Sequence, residues 1–309
     1  MRSELLDLPG AVAADSPDGE IAAHYGSFNT EQRTLESGDG FVDLSNRDVL
    51  RVEGPDRLDW LHNLTTQYFL GLEPGVRTEA LILSPQGHVE HAFAGADDGT
   101  AFVAHTEPGL GQALAQWLDS MRFMTRVEVS LATDDVAVAW RSSGYDLVPR
   151  ARLAAYGEAA GPACGRWAYD ALRIARGEPR FGPDTDHRTI PNEVGWIGPA
   201  VHLEKGCYRG QETVARVHTL GRPPRRLTML HLASTENRLP AIPAPALYEG
   251  REVGFVGSSA RHHELGPIAL AVLKRNVPVE ATLEVDGMPA TQEVVVDPEV
   301  GLHVRPKLR

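Results

Sequence analysis

KGCYRGQETVARVHTLGRPPRRL, residues 205–227, gathers features that the rest of the chain lacks. Lys205, Gly206 and Cys207 open the stretch, and Arg209, Arg216, Arg222, Arg225 and Arg226 follow. The surrounding chain is acidic: 42 Asp and Glu against 30 Lys and Arg over 309 residues leave a net charge of −12. Binders of nucleic acid or of anionic membranes are normally basic overall, so both partners rank low. A local basic run can still grip a small anion.

Cys207 is one of only two cysteines. Neighbouring cations lower a thiol's pKa, which makes it a candidate reactive cysteine. From residue type alone it is as readily a small buried hydrophobe in a tight turn. The second cysteine, Cys164, sits in GPACG with no paired spacing, so neither a zinc site nor an iron site is expected. Two such cysteines make no disulfide framework, and reduced thiols in a cytosol are the simple expectation. The glycines do not form a phosphate loop, since no Lys-Ser/Thr ending follows them.

Outward from this stretch, residues 1–40 are polar and Gly/Asp-rich, and read as an N-terminal arm that is in part extended or loosely ordered. From Phe41 the pattern is regular. FVDLSNRDVLRVEG reads as one or two short strands, and GPDRLDWLHNLTT as a helix with Pro55 at its first position and Leu58, Leu61 and Leu64 on one side. RTEALILSPQGHVEHAFAGADDGTAFVAHT reads as three strands with turns at Pro85-Gln86-Gly87 and Asp97-Asp98-Gly99.

Leu110, Ala113, Leu114, Trp117, Leu118 and Met121 follow a helical period, and strands RVEVSLA and DVAVAWR come after them. A further helix is expected from about Arg166 to Arg176, then a long Gly/Pro/acid-rich loop, then a short helix over QETVARVH. Past Arg226 the chain turns to short strand-like runs, with EVDGM as a hairpin candidate. These runs predict a small separate β-domain. The fold class is therefore α+β, with helices over antiparallel sheet. No apolar run approaches the ~18 residues of a membrane span, and the acidic N-terminus does not resemble a signal peptide. A cytoplasmic protein is expected.

Lys205-Gly206-Cys207-Tyr208-x-Gly210-Gln211-Glu212, with Arg216 and the Gly221–Arg226 run behind it, resembles the signature of the YgfZ family. These are folate-binding proteins of iron–sulfur cluster assembly and repair, related to the glycine-cleavage T-protein, an aminomethyltransferase. DLSNRDVLRVEGPDRLDWLHNLTTQ, RIARGEPRFGPDTDHRTIPNEVGW and GFVGSSARHHELGPIALAVLKRN resemble further segments of the family, so that the likeness spans residues 41–295. It implies two T-protein-like antiparallel-sheet/helix lobes plus a small C-terminal β-barrel around a central channel for tetrahydrofolate. The arm would occupy residues 1–40, the folate-binding region 41–225 and the barrel 226–309.

The same resemblance implies site residues. Glu193 falls where the T-protein places its pterin-binding glutamate, and a carboxylate suits the side-by-side N–H donors of a pterin. Trp196 or Tyr208 would line the flat ring. Arg222, Arg225 and Arg226 are candidates for the anionic folate tail. With Lys205 and Gln211 of the signature, the candidate folate contacts are Glu193, Trp196, Lys205, Tyr208, Gln211, Arg222 and Arg226, with Cys207 as the signature thiol. Asp184 and Asp186 remain unassigned.

The aminomethyltransferases carry a carboxylate pair on a strand after a Gly-Gly turn. That turn laid on SPQGHVEHAFA puts the paired positions on His91 and Ala92, with Glu90 one residue off and so on the opposite strand face. The reading leans away from a conventional enzyme. It favours a folate-dependent accessory protein that serves iron–sulfur client or assembly proteins. A one-carbon transferase using Glu90 or His91, or an interaction module without ligand, are the alternatives.

Overall fold

Alternating apolar and polar residues produce strands, and 3.6-residue periods produce helices, in the order that the patterns dictate. The computed structural model describes residues 1–235 and 237–302. The chain divides into two units: Met1–His62, Phe69–Glu79 and Phe93–Leu172 make the first, and Asn63–Tyr68, Ala80–Ala92 and the chain from Arg173 onward make the second.

In chain order the elements begin with β1 (Val12–Ala13), β2 (Ala22–His24), α1 (Phe28–Ser37), β3 (Phe41–Asp43), β4 (Asp48–Glu53) and α2 (Arg57–Leu64). Then come β5 (Arg77–Leu83), β6 (Val89–Asp97), β7 (Ala101–Thr106), α3 (Gly111–Ser120), β8 (Glu128–Leu131), β9 (Val136–Arg141) and β10 (Gly144–Pro149). They continue with α4 (Leu153–Ala160), β11 (Ala163–Cys164), α5 (Arg166–Ala175) and α6 (Gln211–Leu220). The last are β12 (Arg225–Leu232), β13 (Ala244–Tyr248), β14 (Arg251–His262), β15 (Gly266–Lys274), β16 (Leu283–Val285) and β17 (Met288–Val294).

Three sheets carry most of these strands. One runs β10-β9-β3-β11, antiparallel except where β11 lies parallel to β3. A second runs β5-β6-β7-β4-β8, and the chain passes between the two units within β5 and within β6. The third is a closed barrel, β12-β15-β14-β13-β16-β17, shut by antiparallel pairing of β17 with β12. The architecture is thus α+β with a six-stranded β-barrel. Closure removes the exposed edges that an open sheet of such strands would present.

The core of the first unit joins Val49, Val103, Val138, Trp140, Tyr169 and Leu172. The barrel core includes Leu230, Val256, Ala271, Leu273, Leu283 and Val285. Each fully buried Leu or Val contributes roughly 1.5–3 kcal/mol relative to exposure. In β16 and β17 the alternation is plain: Leu283, Val285, Met288 and Ala290 are buried, and Glu284 and Pro289 between them are exposed. The connecting Asp286 and Gly287 both take positive φ (49° and 72°), the geometry of the two-residue turn that Asp-Gly favours.

The structure departs from the sequence reading in places. Residues 1–40 are not a loose arm: Ser27 caps α1 by accepting a hydrogen bond from the Thr30 N–H, and Ile21 and Leu35 are buried in the first core. Pro55 lies before α2, which begins at Arg57. On α3, Leu114 and Leu118 are buried while Ala113 is exposed, so the apolar stripe is narrower than its period suggested. The hairpin of β9 with β10 has no clear signal in the sequence, because GYDLVP lacks clean alternation; β10 is half-buried along most of its length. Among the described residues no helix is long and apolar enough to cross a membrane.

Candidate functional site

The candidate residues lie in the second unit, on the segment between α5 and β12. Residues 177–200 form the long loop expected from their Gly/Pro/acid content. They are irregular yet partly buried: Asp184, Thr189, Ile190, Asn192, Glu193 and Val194 are all less than 9% exposed. Buried backbone outside regular structure needs side-chain partners, and the loop has them. Arg173 of α5 donates from Nη1 to the Glu178 carbonyl and to Asp184 Oδ2 (both 3.0 Å), and from Nη2 to Ser258 Oγ of β14 (2.7 Å). Asp184 Oδ2 also accepts from the Arg180 N–H at 2.8 Å. Gly257, beside Ser258, lies so close to the loop that a Cβ there would be 2.0 Å from the Pro183 carbonyl oxygen.

Glu193, 1% exposed, ends a single 3-10 turn that begins at Pro191. Its carboxylate is gripped by Arg225 at the start of β12. Nε donates to Oε1 at 2.9 Å and Nη2 to Oε2 at 2.8 Å, while the Ile190 N–H reaches Oε2 at 3.1 Å. The other side of the same guanidinium holds Asp186, through Nη1 at 2.7 Å and Nη2 at 3.0 Å. Burial by itself would raise the Asp186 pKa, but hydrogen bonds from Arg225, the Arg188 N–H and Thr189 hold it well below the usual carboxylate range. Burial opposes charge on Arg225 too, and its two carboxylates outweigh that and raise its pKa. The result is one half-buried arginine between two carboxylates.

Beside this node is a cavity of about 570 Å³. Glu193 and Arg225 line it together with the β5–β6 turn (Pro85, Gln86) and residues of α6 and of the long loop. The loop of the signature enters through its helix. Gly210 starts α6 with φ 80°, and a Cβ on it would lie 2.5 Å from the Ser84 carbonyl oxygen and 2.9 Å from the Gly87 Cα. This glycine brings α6 against the β5–β6 turn, and so serves protein packing. Gly206 has open space around it.

The other candidates separate into two groups. Lys205 is buried, and its Nζ donates to the carbonyls of Thr65 (2.6 Å) and Gln67 (3.2 Å) and sits 5.3 Å from the Tyr208 ring centre. Burial pushes its pKa down to about 8. Tyr208 belongs to a core cluster with Leu81, Leu83, Val201 and Val214, against which Trp196 packs half-buried; burial pushes the Tyr208 hydroxyl up to about 12. Gln211 is the half-buried first residue of α6.

Arg226 is wholly buried, its guanidinium donating to Thr228 Oγ1, to the Val277 carbonyl (3.3 Å) and to Gln292 Oε1 (2.7 Å). Arg222 is exposed and paired with Glu299 at 2.9 Å. Of the expected folate contacts, Glu193 alone lines the cavity, and Arg225 joins it there. Cys207 is exposed, next to Tyr208 and two residues from the Arg209–Glu90 ion pair (2.9 Å). Glu90 is thus engaged by the signature loop itself. Burial lowers the pKa of neighbouring His91, against the pull of Glu90.

The comparisons agree on the class. The chain has the fold of the glycine-cleavage T-protein: the aminomethyltransferase T of the glycine cleavage system from Bartonella henselae superposes with a TM-score of 0.78 at 18% identity, over 96% of each chain. Individual relatives in sequence are a chloroplast protein of Arabidopsis thaliana named "Putative transferase" and aminomethyltransferases of two bacteria. The first is 25% identical over 79% of this chain, which spans 66% of that protein's length. The aminomethyltransferase of Shouchella clausii is 23% identical over 96% of this chain and 95% of its own, and that of Moorella thermoacetica 23% identical over 82% and 83%. No family model matches the chain.

Proposed function

We propose that this protein binds a tetrahydrofolate beside Glu193 and acts in the cytoplasm as an accessory protein of iron–sulfur cluster assembly or repair, rather than as a conventional transferase. The observation that carries the folate reading is the buried carboxylate of Glu193 on the wall of a cavity of about 570 Å³. A carboxylate offers about four lone-pair sites. Three are taken by Arg225 and the Ile190 N–H, and Oε1 keeps one for a pterin N–H. The acceptor is therefore fixed and not saturated, which fits a ring that presents donors. A reduced folate supplies ring nitrogens able to carry a one-carbon unit. The chain's own part is to orient the ring through Glu193 and to hold that carboxylate in place through Arg225.

The accessory role rests on the likeness of residues 205–212 to the YgfZ signature, and on Cys207 standing exposed within it. Against transferase chemistry stands β6, where the paired-acid positions are His91 and Ala92 and where Glu90 is tied to Arg209. The transferase reading keeps His91, half-buried and with a lowered pKa, as a neutral base.

Anaerobic titration with reduced tetrahydrofolate tests the proposal. Saturable binding is expected, weakened at least tenfold in Glu193→Ala, with no aminomethyl transfer on the bound folate. Absence of binding by the intact protein overturns the folate reading. Turnover of an aminomethyl donor replaces the accessory role by the transferase.

A further inference from the structure

The two most exposed large apolar side chains among the described residues are neighbours on one turn of the first unit. Between α3 and β8, Phe123 is 87% and Met124 98% exposed. Phe123 also takes φ 46°, a left-handed backbone that a bulky residue rarely adopts. The turn is braced on both sides. Trp60 Nε1 of α2 donates to the Met121 carbonyl at 3.2 Å, and the Thr125 N–H donates to the Arg122 carbonyl at 2.9 Å. Asp56 accepts from the Arg126 N–H at 2.9 Å and from its guanidinium through Nε (3.1 Å) and Nη2 (2.6 Å). A fastened, strained turn that holds two apolar side chains in water is suited to docking.

The turn runs directly into β8, an edge strand that pairs with β4 alone. The Ala132 N–H donates to the Val49 carbonyl at 2.7 Å, so the alternate residues Leu131 and Val129 turn their N–H and C=O away from β4. No hydrogen bond meets those outward groups among the described residues. Leu131 is itself 47% exposed. An open edge beside exposed apolar side chains is a template for another strand.

We infer that the strip from Phe123 to Leu131 is a self-association surface, on which β8 of a second copy of this chain pairs antiparallel with β8 about a two-fold axis. Such an interface needs a surface complementary to itself, and this strip is. Pairing Val129 with Leu131 of the second copy, and the reverse, matches outward groups on both strands and puts Ser130 on the axis. The same register sets Arg126, whose side chain stays 73% exposed beside Asp56, opposite Asp134, which is exposed and has no ion pair among the described residues. A slide of two residues would set Glu128 against Asp134, acid on acid. The area also suffices. Large side chains bury roughly 150–250 Å² each. Phe123, Met124 and half of Leu131 from two copies, with the strand edges, therefore reach the low end of a specific interface, about 1,000 Å². A weak dimer in the micromolar range is expected.

Sedimentation velocity of the full chain over a micromolar concentration series, at about 0.15 M salt to screen the net charge, tests the inference. The parent should show a monomer–dimer equilibrium. Phe123→Ser/Met124→Ser should raise its dissociation constant at least about tenfold with an unchanged thermal midpoint, since both side chains are exposed. Cysteine cross-linking reads the register, in a Cys207→Ser background that removes the exposed native thiol. Ser130→Cys should give a disulfide-linked dimer on mild oxidation, and much faster than Glu128→Cys, which faces Ala132 of the second copy.

A parent that remains monomeric throughout the series overturns the inference, and so does a dimer that persists in the double variant. Equal cross-linking from positions 128 and 130 overturns the strand pairing. A monomeric parent that floats with phosphatidylglycerol vesicles, where the double variant does not, makes the strip a membrane-facing one and overturns self-association as well.

Discussion

Gly210 and Gly87 face each other across the junction of α6 and the β5–β6 turn, so closely that a Cβ on Gly210 would lie 2.9 Å from the Gly87 Cα. Gly210 also takes φ 80°. Gly210→Ala should therefore lower stability by about 1–2 kcal/mol for the left-handed backbone alone, with the clash in addition. Gly206→Ala should stay within about 0.5 kcal/mol of the parent, because nothing lies within 4 Å of the added methyl. Denaturant midpoints of the two variants, measured side by side, check the ordering.

The Arg225 node predicts a pH dependence. The Asp186 pKa is depressed in the folded state, so its contribution is fully present above the unfolded value near about 4 and is lost as pH falls towards the folded one. Asp186→Asn should be less stable than the parent at pH 7, and the gap should narrow steadily below about pH 4. A gap independent of pH would mean that Asp186 contributes shape and not charge.

Arg225→Met should be far more damaging, by about 3–5 kcal/mol, because it strands the buried Glu193 carboxylate. Combining it with Glu193→Gln should recover part of the loss. Thermal unfolding of the two single variants and the double variant measures that coupling.

Lys205 gives a slope of the same sign in a higher pH window. Its folded pKa of about 8 lies below the unfolded value near about 10.4, so the unfolded chain binds more protons between them. Stability should rise with pH across that window. Lys205→Met should remove this rise, and equilibrium unfolding at several values between pH 8 and 10 would reveal it.

The two thiols should behave differently. Cys207 is exposed, while Cys164 is buried with its pKa pushed up to about 12, by burial and then by Glu31. A thiol-specific disulfide reagent should take up one equivalent in the native protein and two after denaturation, and none in native Cys207→Ser. Mass spectrometry of the labelled chain assigns the position.

Much of the fold was legible because its signals are local. Asp286-Gly287 specifies a turn with two positive φ values, and the alternation on either side specifies the hairpin. The QETVARVH helix followed from its period, with Val214 as its buried residue. The site was harder to read for a geometric reason. Arg225 and Arg226 are adjacent on β12, so they point to opposite faces, one to Glu193 and the other into the barrel. Composition cannot say which parity faces inward. Asp186 carries no local signal for a similar reason, since its link to Arg225 joins residues 39 apart in sequence. A local signal is present in Ser27, the N-cap of α1, with Thr30 three residues on inside the helix, an N-cap pattern within a polar segment.

The anchoring of the long loop by Arg173, Asp184 and Ser258 has a kinetic meaning. A segment already fastened to the barrel wall has little disorder left to surrender when a ligand arrives. Association at Glu193 should then be a single bimolecular step whose rate grows linearly with ligand concentration, with no plateau set by a preceding loop closure. Shortening Arg173 to Lys would loosen that fastening, and the penalty should appear first as a slower on-rate.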